Sequence, residues 1–238
     1  MSRTSVANSP IFAPLIGFEA KRKRLLKKAP AGPLRDFLSV PIPNLNTPID
    51  KINILSVDFE TTGLNAKNDK LLSVGFVTFA QQQISLSSCY HQIINTQQKL
   101  EESNVIIHQI TDSQKEQGQT LATVVATLLK ALAGKVMLVH FARIERQFLT
   151  QACIELYGMA PVFPMIDTLV LAKRRLDKRD VAYDPSELRL SHLRHKFALP
   201  EHHAHNALGD AIATAELFMA QMSKANKDGK TILKDVLL

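Results

Sequence analysis

The chain has 238 residues, 45% apolar and 21% charged, the proportions of an ordinary globular protein and not of a disordered one. No stretch reaches the roughly 18 apolar residues that a membrane span needs. The short apolar segment at residues 11–18 is broken by Pro14 and followed, not preceded, by positive charge, so no secretory signal is expected. Two cysteines, Cys89 and Cys153, offer neither a disulfide framework nor metal-ligand spacing, and the expected setting is a reducing cytoplasm.

The net charge of +7 is unevenly placed. Residues 1–48 hold eight lysines and arginines against two acids, and seven of the eleven prolines. They read as an irregular basic arm with one short helix over residues 18–29, suited to a polyanionic partner or to a solvated face beside the domain. From about Ile49 the periodicities alternate. Residues 51–59, 70–79 and 84–94 are strand-like, the last two joined by a polar link. Residues 120–134 have helical spacing and end on Gly134, a plausible helix stop. A short buried-type strand follows at 135–140, then an amphipathic helix over 142–158 that closes on Gly158. Residues 162–176 read as strand then helix, and 184–199 and 206–222 as two more helices. Strands followed by strand–helix units predict an α/β sheet with helices on its faces over residues 49–222, with 223–238 as a peripheral tail. The basic run Lys173, Arg174, Arg175, Lys178 and Arg179 reads as a phosphate track or a solvated face.

The chemistry is carried by acids in apolar settings. Asp58 and Glu60 stand two apart on the first strand, so both side chains project from one face. Like charges so placed repel unless a cation lies between them, which makes the pair a metal-site candidate. Gly63, just beyond, permits a tight turn where a ligand can approach the backbone. Glu145 falls near the start of the helix after His140, where an acid is favoured by the helix dipole with or without a function. Asp210 lies within the last long helix beside an apolar face, five residues after His205. His202 and His203 read as loop residues without chemistry of their own, and Asp167 as a helix cap.

Taken in order and spacing, "VDFETTGL" (57–64), "HFARIE" (140–145) and "HNALGDA" (205–211) resemble the three motifs of the DEDDh 3′-5′ exonuclease superfamily. That superfamily includes the proofreading subunit of bacterial replicative DNA polymerase. The segments "IIHQIT" (106–111) and "MIDTLVLA" (165–172) are similar to further family stretches, and the likeness spans about residues 50–222. The resemblance implies a ribonuclease H-like mixed β-sheet flanked by helices. It also implies 3′-5′ hydrolysis of phosphodiester bonds in single-stranded DNA or RNA, with two Mg²⁺ or Mn²⁺ ions held by Asp58, Glu60, Glu145 and Asp210. His205 would be the base that deprotonates water, and Thr61, Thr62, Leu64, His108 and Ile110 would hold the terminal nucleotide. A polymerase or another protein is the partner such a chain would serve.

The chain departs from the family pattern in places that bear on the site. Glu145 replaces an aspartate, Phe141 an asparagine, and Gln109 a glycine. The longer carboxylate motivates an alternative reading, a nucleic-acid-binding or scaffold module with a weakened exonuclease site.

Overall fold

The computed structural model describes residues 17–96, 110–180, 182–202, 204–226 and 228–238. His108 and Gln109 lie outside the described residues, as does most of the apolar segment at 11–18. Five strands form one mixed sheet: β1 (Ile54–Thr61), β2 (Leu71–Ala80), β3 (Gln83–Ile93), β4 (Val136–Val139) and β5 (Met165–Asp167), in the order β3-β2-β1-β4-β5. β1, β2 and β3 pair antiparallel, whereas β4 and β5 run parallel to β1. This is the ribonuclease H-like mixed sheet that the resemblance implies.

The helices in chain order are α1 (Gly17–Leu26), α2 (Pro33–Ser39), α3 (Asp112–Glu116), α4 (Leu121–Leu132), α5 (Arg143–Tyr157), α6 (Thr168–Asp177), α7 (Leu190–Lys196), α8 (Ala207–Ala225) and α9 (Leu233–Val236). The central strand β1 is covered on both faces, apolar on one and carrying Ser56, Asp58 and Glu60 beside Ile54 on the other. Its Leu55, Val57 and Phe59 face a core built with α2, α4 and α5. Its Ile54 faces a second core formed with Leu138, Ile166, Phe218 of α8 and Leu233 of α9. Asp58 and Glu60 therefore point to the side covered by α8. None of the helices is long and apolar enough to cross a membrane, among the described residues. Cys89 and Cys153 are both free.

The structure redraws both ends of the domain. Residues 29–38 are not an appended arm, because Ala29, Leu34, Phe37 and Leu38 are buried in the main core. Arg22 fastens α1 to this layer: its guanidinium bonds both carboxylate oxygens of Glu19, at 2.7 and 2.6 Å, and the carbonyl of Leu38. Lys21, Lys23, Arg24, Lys27 and Lys28 remain exposed, so the basic character survives as a helix face. The C-terminal residues are likewise integral, since Leu233, Val236 and Leu237 are buried and Leu237 bridges to Ile166 of β5. Proline density concealed the first of these and brevity the second. The helix expected over 184–199 is broken at Arg189, which is extended (φ −63, ψ 148), leaving a 3-10 turn at Pro185–Leu188 before α7.

The link between β2 and β3 is a two-residue turn at Gln81 and Gln82, both left-handed (φ 51 and 60). A left-handed non-glycine residue costs about 1–2 kcal/mol, and an Asn-Gly pair suits such a turn better. The double substitution Gln81→Asn with Gln82→Gly is expected to stabilise the protein by about 1 kcal/mol and raise Tm by about 2–4 °C. Calorimetry showing no gain would count against this turn geometry.

Candidate active site

The acids are assembled at the end of the sheet where β1, β4 and β5 all terminate at their C-terminal ends. β1 supplies Asp58 and Glu60, and α8 supplies Asp210 from its first turn. One carboxylate oxygen from each of these three residues can be chosen so that all lie within 4.8 Å of one another. Two features seat α8 against the strand. Ser56 Oγ donates to the carbonyl of Ala211 at 2.6 Å. Gly75, the β2 neighbour of Asp58, lets the helix backbone come so close that a Cβ there would stand 2.2 Å from the carbonyl carbon of Ala207.

Glu145 reaches the same region from α5. It is only 2% exposed, and its Oε2 has no hydrogen-bond partner among the described residues. A buried carboxylate oxygen without a donor is costly unless a cation or a proton satisfies it. Burial pushes the Asp58 carboxyl well above the usual carboxylate range, and the charges of Glu145, Asp210 and Glu60 push it further. Burial does the same to Glu145, with Asp167 and Glu60 adding to it against the opposing pull of its own backbone amide. Asp210 is raised by burial, opposed by His202 and by the backbone N–H of His205. Acids crowded together, with Asp58, Glu145 and Asp210 raised first by burial and then by neighbouring charge, form a donor set for hard divalent cations, which take oxygen ligands.

Asp167 is spoken for by amides, as a helix cap. Its carboxylate accepts from Leu169 N–H at 2.8 Å, at the start of α6, and from Ala142 and Phe141 N–H at 2.8 and 3.1 Å. It thereby fixes the turn that launches α5 and Glu145. His140 is structural in its bonding: its Nδ1 lies 2.7 Å from Thr168 Oγ1, which donates onward to the carbonyl of Val139. Burial pulls the imidazole down to about 4, so it is neutral at pH 7.

The histidine loop before α8 is bound to Asp210 from two sides. His202 Nε2 is 2.9 Å from Asp210 Oδ1, and the His205 backbone N–H donates to Oδ2 at 2.8 Å. His205 is exposed and left-handed (φ 66), and Asn206 caps the helix by accepting from Gly209 N–H. The sequence indicated no role for His202, because its contact joins a loop residue to one inside the following helix, eight positions on, and leaves no periodic signal. Nor did it single out His91, which lies across Gly75 from Asp58 on β3.

The remaining expected residues divide. Thr61 Oγ1 donates to the Gly63 carbonyl at 2.7 Å, and Thr62 exchanges bonds with Lys70 through N–H and Oγ1, both 3.0 Å. The turn after β1 is thus braced, and it carries Leu64 at 72% exposure. Ile110 is buried against Leu72 and Ile93, so it contributes wall and not exposed surface.

Residues 55–218 match the sequence profile of the Exonuclease family. The chain is 30% identical over 182 residues to a DNA polymerase III PolC-type of Thermotoga petrophila, covering 76% of this chain but only 12% of that one. It is 26% identical over 175 residues to the DNA polymerase III subunit epsilon of Treponema pallidum, covering 73% and 78% of the two chains. Among solved structures, the nuclease domain of 3′hExo, a DEDDh family member bound to rAMP, superimposes with a TM-score of 0.61 at 17% identity, over 78% of this chain and 97% of that one. With its profile match spanning all three acidic motifs, the chain belongs to the exonuclease family, within the DEDDh 3′-5′ exonuclease superfamily.

Proposed function

We propose that this exonuclease removes nucleotides one at a time from the 3′ end of single-stranded DNA, with RNA as a second substrate, releasing nucleoside 5′-monophosphates in the cytoplasm. The observation that carries the proposal is the meeting of Asp58, Glu60 and Asp210 within 4.8 Å, beside a buried Glu145 with an unpartnered oxygen. Asp58, Glu60, Asp210 and Glu145 would hold two Mg²⁺ or Mn²⁺ ions, which when bound supply water activation and neutralise charge on the phosphate and leaving oxygen.

The protein's own groups do the rest. His205 takes the proton of the attacking water on an imidazole nitrogen. Imidazole exchanges protons near neutral pH, and a positioned base contributes about 10²–10⁴-fold. As the new P–O bond forms, the bond to the 3′ oxygen breaks and that oxygen takes a proton from solvent. The N–H bond of His205 to Asp210 keeps base and acids in fixed register. Leu64 presents an apolar surface to a base without regard to its identity, the backbone at Thr61 and Thr62 lies beside the terminal nucleotide with Ile110 behind it, and His108 is assigned to the same nucleotide by the motif resemblance alone. Relatives named as DNA polymerase III make a replicative polymerase the partner we propose for the chain.

With 5′-labelled DNA and RNA oligonucleotides, purified protein is expected to give a ladder shortened from the 3′ end in Mg²⁺ or Mn²⁺ and none in EDTA. Asp58→Ala and His205→Ala should each lower the rate, the first by about 10³-fold or more, the equivalent of several kcal/mol at the transition state. An intact label under all four combinations of metal and substrate, with salt-sensitive binding retained, would favour the scaffold reading instead.

A further inference from the structure

We propose that Phe141 is a positioning residue for the substrate, its ring serving as a stacking surface for an unpaired base at the 3′ end. This inference rests on the exonuclease reading and specifies its substrate class as a strand whose terminal bases are free to unstack.

Five large apolar side chains are exposed among the described residues, and Phe141, at 44%, is the aromatic one. Single exposed apolar residues are ordinary on protein surfaces, so exposure alone decides nothing. Its place does. Phe141 follows β4 and Leu64 follows β1, and these strands are parallel neighbours in the sheet. Both exposed side chains therefore stand at the end of the sheet that carries the acids.

The backbone there is held against preference. Phe141 has φ 72, a left-handed conformation that is an outlier for a bulky residue. Asp167, only 3% exposed, holds it by accepting from the N–H groups of both Phe141 and Ala142. The carbonyl of Phe141 accepts from Ile144 N–H at 3.2 Å, which ties its position to the turn bearing Glu145. Glycine would adopt this φ freely. An aromatic ring kept at a strained, clamped and solvent-facing turn four residues before an acid of the site has the placement of a platform for a base. Stacking on an aromatic side chain tolerates any base but favours the larger purines. It requires a single strand, because a paired base offers no free face.

Three variants test this. Phe141→Gly removes the ring and relieves the strain, so a loss of function cannot be blamed on unfolding. Phe141→Trp keeps a stacking surface, and Phe141→Ala removes it without the glycine's freedom. With a single-stranded oligodeoxynucleotide, the Gly and Ala variants are expected to raise KM by about 5- to 150-fold, the range set by stacking of one base. kcat should move less, and Trp should restore KM. An oligonucleotide carrying 2-aminopurine at its terminal or penultimate position, bound in Ca²⁺, should lose fluorescence quenching with Gly and keep it with Trp. A Gly variant within twofold of the wild-type KM, or a Trp variant no better than Gly, overturns the role of Phe141. If instead the wild-type protein shortens no oligonucleotide, the exonuclease reading itself fails.

Discussion

Asp58→Asn is expected to abolish hydrolysis and, in EDTA, to raise the melting temperature of the protein. Both effects come from the same crowding of acids. In the folded chain Asp58 is largely withdrawn from water and faces the charges of Glu145, Asp210 and Glu60, so its carboxyl titrates well above the usual carboxylate range. A group whose folded pKa lies above its unfolded value adds stability when protonated, and that stability is lost as pH rises through the folded pKa. Glu145 and Asp210 are raised as well, so they act in the same direction. Without metal, the wild-type protein should therefore be more stable near pH 5 than near pH 8. Asparagine mimics the protonated acid at every pH. Removing one of the like charges should give about 1–2 kcal/mol at pH 8, or roughly 2–8 °C in Tm for a chain of this size.

Adding Mg²⁺ or Mn²⁺ should reverse the order, because an ion that binds the ionised acids stabilises the wild type by mass action and the variant much less. Melting curves at pH 5 and pH 8, with EDTA and with metal, read all of this in one set of experiments. A variant that melts below the wild type in EDTA at pH 8, or a wild type whose metal-free stability climbs with pH, would show that the acids are not under mutual repulsion. Function, on this account, is kept at some expense to the metal-free fold.

How much of this was visible in the sequence depended on how local each signal is. The strand at Ile54–Thr61, the hairpin to β3 and helix α5 with its stop at Gly158 follow from alternation, helical spacing and a left-handed glycine, all read within one element. The pairing of Asp58 with Glu60 is equally local, because alternation puts them on one face. Their meeting with Asp210 depends on α8 crossing the sheet more than 150 residues later in the chain, and only the resemblance to a known set of motifs supplied it. The contact of His202 with Asp210, the clamp that Asp167 places on Phe141 and Ala142, and the burial of Leu34 and Phe37 were out of reach for the same reason. Each depends on segments that are distant in sequence and adjacent only after folding. The prolines around α2 made matters worse: they argue locally against order, yet Pro33 sits at the first turn of the helix, where a missing N–H does no harm.

Gly75→Ala should damage both stability and activity, although it touches no acid directly. Gly75 is not needed for an unusual backbone angle; it is needed because of what lies over it. A Cβ at this position would be 2.2 Å from Ala207 C and Leu208 N and 2.4 Å from the Ala207 carbonyl oxygen, where ordinary contact starts at 3.4 Å. These are backbone atoms of a helix and cannot swing aside as a side chain can. The first turn of α8 must therefore move by about 1 Å or more to restore normal contact. That turn carries Asp210 and is capped by Asn206, and one turn on, Ala211 accepts the hydrogen bond from Ser56. Overpacking of this kind costs about 1–3 kcal/mol, and displacing a group of the site by about 1 Å costs on the order of 10² in rate. Moving Asp210 away from Asp58 and Glu60 should also raise the metal concentration needed for half-maximal activity, so excess Mn²⁺ should restore part of the loss. Gly17→Ala is the matched control, since a Cβ there meets nothing within 4 Å and should leave melting temperature and rate unchanged. Wild-type rate, metal requirement and Tm in Gly75→Ala would mean that α8 does not press on β2 at this point, and that the three acids are brought together by some other seating of the helix.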